Sequence, residues 1–72
     1  MTFTVGLPKR CSVTYSVYVT WSDGTSQLFL IEIADGDIDV DSFDHCPDAV
    51  TDDEEMAVRD ALIQLGYELA HA

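Results

Sequence analysis

The sequence predicts a small α+β fold: a three- or four-stranded antiparallel β-meander packed on one C-terminal helix, in a single domain over residues 1–72. Three observations carry this. Residues 12–21, SVTYSVYVTW, alternate strictly, which is the period of a half-buried strand. Two glycine-bearing turn signals, Ser22-Asp23-Gly24 and Asp35-Gly36, follow at hairpin spacing. Beyond Thr51 the apolar period changes to that of a helix.

In the first long strand Val13, Tyr15, Val17, Val19 and Trp21 share one face, and Ser12, Thr14, Ser16, Tyr18 and Thr20 share the other. Residues 26–33, SQLFLIEI, form the next strand. A three-residue loop with Gly24 in the left-handed position sets Val17 opposite Phe29, Tyr15 opposite Ile31 and Val13 opposite Ile33. A two-residue loop would instead put Phe29, Ile31 and Ile33 on the face of Ser16 and Thr14. A one-residue slip inverts every side chain, so the apolar faces select the longer loop.

At Asp35-Gly36 a two-residue type I′ turn is the consistent choice. It sets Ile33 opposite Ile38 and Ile31 opposite Val40, over a third strand at 37–42. The outer face then receives Asp37, Asp39 and Asp41, with Glu32 opposite Asp39 and Leu30 opposite Asp41. Like charges directly opposite each other are destabilising, so structure alone does not favour this arrangement. Phe3 and Val5 alternate as a short first edge strand would.

Phe43 to Val50 reads as a loop punctuated by Pro47. Thr51 caps the helix, and Glu54 completes a capping box. Asp52, Asp53, Glu54 and Glu55 fill the first turn, where the helix dipole favours anions. The helix runs to Ala70, with Val58, Ala61, Leu62, Leu65 and Leu69 as the stripe that covers the sheet. Gly66 weakens its interior, which close approach to the sheet would explain. A second stripe, Met56, Ile63, Tyr67 and Ala70, lies nearly opposite and is flanked by Asp52, Asp53 and Asp60. Either the N-terminal segment Thr2–Leu7 covers it or it is an interface to a twin subunit or a target.

Charge narrows the function. The chain has 14 acids against 3 bases, for a net charge of -11. Residues 1–31 carry Lys9, Arg10 and Asp23, a net +1, while residues 32–72 carry the other 13 acids and Arg59, a net -12. Such an imbalance destabilises a compact state by self-repulsion. Solubility alone asks for a charge magnitude of only about 2–8 in a small domain. Non-specific nucleic-acid binding is excluded, because it needs a positive footprint. The excess points to a positively charged partner. No apolar run approaches the roughly 20 residues of a membrane helix. The basic pair Lys9-Arg10 follows the apolar N-terminal residues, the wrong order for a secretory signal. A cytoplasmic location is therefore expected, with Cys11 and Cys46 as free thiols unless the fold brings them together to pair.

Catalytic and metal signatures are poor. His45, Cys46 and His71 lack zinc-site spacing. Asp37, Asp39 and Asp41 begin like a calcium loop, with Asp48 at its twelfth position. The match fails at the sixth position, where Ser42 replaces the required glycine, and no helix precedes the run. No nucleophile elbow or phosphate loop occurs, and His45 beside Cys46 is a sequence neighbour pair rather than a dyad. The expectation is a non-enzyme with no cofactor and no metal. Read as a strand, Asp37, Asp39 and Asp41 sit roughly 6.6 Å apart, from a rise of about 3.3 Å per residue. Successive nucleotides of one DNA strand rise about 3.4 Å along the axis, with phosphates on a wider path. The row approximates the charge spacing of a nucleic-acid backbone, although a charged edge strand that resists aggregation has the same pattern.

In length, charge and the acidic run from Glu32 to Asp60, the chain resembles the small phage-encoded inhibitors of bacterial defence, notably anti-CRISPR proteins. That class shares no common sequence pattern, so no residue role is carried over from it. The resemblance implies a stoichiometric inhibitor in the host bacterial cytoplasm, presenting a nucleic-acid-like surface to a basic protein such as a CRISPR-Cas effector complex. The candidate contact residues are Glu32, Asp35, Asp37, Asp39, Asp41, Asp44, Asp52, Asp53 and Asp60, with Met56, Ile63 and Tyr67 as an apolar anchor. The competing readings are a small homodimeric adaptor or assembly protein whose acidity serves solubility, and a divalent-cation-binding module.

Overall fold

The computed structural model describes residues 2–11, 14–42 and 48–71. Its elements, in chain order, are β1 (Phe3–Val5), β2 (Lys9–Cys11), β3 (Thr14–Trp21), β4 (Ser26–Ala34), β5 (Asp37–Ser42) and α1 (Asp52–Ala70). The five strands form one antiparallel sheet, with β1 and β2 end to end along one edge of β3, then β4, then β5. The helix packs over β4 and β5. This is the α+β meander with a C-terminal helix that the sequence predicts.

Both hairpin registers follow from the apolar pattern. Val17 pairs with Phe29 and Tyr15 with Ile31 across the first. Its turn is closed by Trp21 N donating to Thr25 O at 2.8 Å and Gly24 N donating to Trp21 O at 2.9 Å. Gly24 takes a φ of 91°, the left-handed position that only glycine adopts without cost. The Asp23 carboxylate accepts from Thr25 N at 2.8 Å, and this bond holds its pKa below the usual value. In the second hairpin Asp35 and Gly36 take φ values of 51° and 86°, as a type I′ turn requires. Ile33 then pairs with Ile38, and Ile31 with Val40. The expected pairing of Val13 with Ile33 lies outside the described residues.

The core gathers Val17, Val19, Trp21, Phe29 and Ile31 from the sheet and Val58 and Leu62 from the helix. Ile33, Ile38, Val40, Val50 and Leu65 pack around it. Gly66 is buried, with Ala61 and Leu69 half-buried, so the buried face is rotated toward Gly66 relative to the expected stripe. A Cβ at Gly66 would lie 2.5 Å from Ile38 Cγ2 and 3.1 Å from Ile31 Cγ2. Glycine is there because the helix backbone rests on the sheet.

The N-terminal segment does not cover the second helix stripe. It joins the sheet along the edge of β3, far from β5, with Phe3 opposite Trp21 and Val5 opposite Val19. Phe3 and Trp21 meet edge to face at a centroid distance of 5.7 Å, a favoured geometry for aromatic pairs. No apolar alternation announces β2, where Lys9 pairs with Ser16. Partner numbers shift by one between β1 and β2, so the strand breaks around Gly6–Pro8 to absorb one extra residue. Pro8 has no N–H to donate and is tolerated there because this is an edge.

Candidate functional site

The helix covers one face of the sheet, and strand alternation puts Thr20, Tyr18, Ser16, Leu28, Leu30, Glu32, Asp37, Asp39 and Asp41 on the other. Glu32 lies opposite Asp39 and Leu30 opposite Asp41. All four carboxylates are exposed, and Tyr18 retains 60% exposure. Asp35 is exposed in the turn that begins the row. Asp44 lies outside the described residues.

Little positive charge reaches this surface. Arg59, the one base of the acidic half, donates through Nη1 to Val40 O at 3.2 Å and approaches Glu55 at 3.8 Å in an i,i+4 pair. It is held at the edge of β5, on the helix side of the sheet. Lys9 shares the outer face through its pairing with Ser16, but Ser16, Leu30 and Asp41 follow it across successive strands. Three strand spacings, about 14 Å, therefore separate Lys9 from Asp41.

The helix acids belong to another side. Asp52, Asp53 and Asp60 are exposed on α1, which lies across the opposite face of the sheet. The fold thus brings together Glu32, Asp37, Asp39 and Asp41, and it separates them from the outward helix acids. Met56 and Tyr67 are 61% and 45% exposed, and Ile63 is half-buried. Asp52 to Glu55 also serve the helix start. Thr51 Oγ1 accepts from Glu54 N at 3.2 Å, and Thr51 N donates to Glu54 Oε1 at 3.0 Å.

No protein-family model matches the chain, and no curated protein or solved structure matches it.

Two structural features escape sequence reasoning. Gln27, in a strand position that reads as polar, is buried. Trp21 Nε1 donates to its Oε1 at 3.1 Å, and its Nε2 donates to Ser42 Oγ at 2.7 Å. This bridge ties the end of β5 to the core. Its only sequence signal is the even spacing of Gln27 with Phe29 and Ile31. The second is the outer-face cluster of Tyr18, Leu28 and Leu30, in which Tyr18 pairs directly with Leu28 beside the acid row. The alternation that marks the core face hides it, because Leu28 and Leu30 interrupt that alternation.

Asp37 to Ser42 is a strand, not the opening of a calcium loop. Among the described residues no group of three or more His, Cys, Asp or Glu is placed to hold a metal ion. Among them, too, no helix is long and apolar enough to cross a membrane.

Proposed function

We propose that this protein is a non-enzymatic, stoichiometric inhibitor whose acidic sheet face occupies the nucleic-acid site of a basic host protein, such as a CRISPR-Cas effector complex. One observation supports this above the rest: Asp37, Asp39 and Asp41 stand exposed along one strand with Glu32 beside them, and the nearby arginine is turned to a backbone carbonyl. Four carboxylates on one sheet face supply long-range steering toward Lys- and Arg-lined grooves and fix the register of docking. Tyr18, Leu28 and Leu30 supply apolar contact at its centre.

Immobilised protein should retain nucleic-acid-binding proteins from a nuclease-treated bacterial lysate. Added DNA or RNA should release them, and so should salt. The Asp37→Asn, Asp39→Asn, Asp41→Asn variant should not retain them. Equal retention by the variant, or retention that nucleic acid does not displace, would sink the reading.

The exposure of Met56 and Tyr67 favours a second reading, a homodimeric adaptor joined through the helix. Salt separates the two. A charge-driven complex weakens steeply as salt rises, whereas an apolar dimer does not.

A further inference from the structure

We propose that the free edge of β5 is a strand-addition site, and that its occupant is an extended segment of the partner protein in which basic and apolar residues alternate. This rests on the reading of the acid row as a docking surface and adds how the partner is gripped.

Among the described residues β5 pairs with β4 alone, so its other edge carries backbone groups with no strand partner. The two-residue turn fixes which ones. In an antiparallel ladder counted from such a turn, Ala34–Asp37, Glu32–Asp39 and Leu30–Asp41 are the hydrogen-bonded pairs. The N–H and C=O groups of Ile38 and Val40 therefore point away from β4. The Arg59 guanidinium reaching Val40 O at 3.2 Å is independent evidence of that direction. A carbonyl oxygen has two lone pairs, so this bond leaves room for a strand N–H.

The flanks of the edge define the occupant. On one face lie Asp37, Asp39 and Asp41. On the other lies the helix. Arg59, Ile63 and Gly66 follow one another at i,i+4 and i,i+3 along one side of α1. Arg59 reaches Val40 and Gly66 abuts Ile38, so Ile63 between them borders the edge, with Met56 one turn from Arg59 on the same flank. A strand laid against β5 turns alternate side chains to the two faces. Bases on the outer face meet the acid row, and apolar residues on the inner face cover Ile63 and Met56. One occupant thereby satisfies the acid row, the free backbone groups and the uncovered helix flank. A second copy of this chain is rejected, because edge-to-edge pairing would set one aspartate row beside another.

The probe is a short capped peptide of alternating lysine and valine, with a peptide of the same residues in two blocks as comparator. Binding and amide exchange are followed by NMR on the labelled protein. The alternating peptide should slow exchange of the Ile38 and Val40 amides by about tenfold or more, and the block peptide should not. Val40→Pro removes the outward donor without touching the β4 ladder, which an edge tolerates. It should weaken binding about tenfold, a change of about 1.4 kcal/mol. Ile63→Ser, away from the ladder, should weaken it as well and serves if the proline variant does not fold. Equal binding by both peptides without protection of Ile38 and Val40 would overturn the edge site while leaving charge-driven docking intact. No binding by the alternating peptide, or undiminished binding by Val40→Pro and Ile63→Ser, would also overturn it. The docking reading fails separately, if the triple asparagine variant keeps the parent's partners.

Discussion

Glu32 stands directly opposite Asp39 across β4 and β5, on the sheet face turned away from the helix. Directly opposed like charges cost stability, and Arg59 on the helix is bound to Val40 O instead. The two-residue turn would accept other residues at both positions. On the proposed function, such a row is a contact surface held at a cost to the fold.

Salt should act in opposite directions on folding and on the complex. Raising ionic strength from 0.1 M to 1 M shortens the screening length from about 10 Å to about 3 Å. The melting temperature should rise as repulsion among 14 acids is screened. Affinity for a basic partner should fall over the same range. A melting temperature that falls with added sodium chloride would mean that ion pairs, not repulsion, dominate the surface.

Gly66→Ala should destabilise the protein even though alanine favours a helix interior by roughly 1 kcal/mol. The new methyl would lie 2.5 Å from Ile38 Cγ2, and Ile38 is β-branched and opposed by Ile33. Overpacking costs about 1–3 kcal/mol, so a net loss of about 1 kcal/mol is expected. Ile38→Ala should cost less in the Gly66→Ala background than alone. Urea unfolding of the parent and the three variants measures this, and a more stable Gly66→Ala would mean the helix does not rest on β5.

Gln27→Leu is close in size and more apolar, yet it should destabilise by about 1–3 kcal/mol. It strips the acceptor from buried Trp21 Nε1 and the donor from Ser42 Oγ. Trp21 fluorescence during unfolding reports both the loss and the altered ring environment. An unchanged midpoint would show that the bridge contributes nothing.

Much of the fold was legible because each hairpin had one register compatible with its apolar residues. Gly24 and Asp35-Gly36 then matched the turn that register required. Thr51 and Glu54 announced the helix start through a local hydrogen-bond pattern that needs no tertiary context. Gln27 was not legible, since its burial depends on Trp21 and Ser42 arriving from two other strands. β2 was missed because Lys9-Arg10-Cys11 carries no apolar alternation and owes its place to pairing with β3. Strand alternation makes the acid row legible as one face, whereas sequence proximity alone groups the helix acids with it. Two-layer packing puts them on the other side of the sheet.

The most direct test of the central claim is a thermal melt of Asp37→Asn, Asp39→Asn, Asp41→Asn against the parent at low salt. If the row is kept for contact at the fold's expense, the variant melts higher. Relief of about 1 kcal/mol corresponds to roughly 4–8 °C in a domain of this size. A variant that melts lower would show that these aspartates hold the sheet together, and the claim that they form an interaction surface would be contradicted.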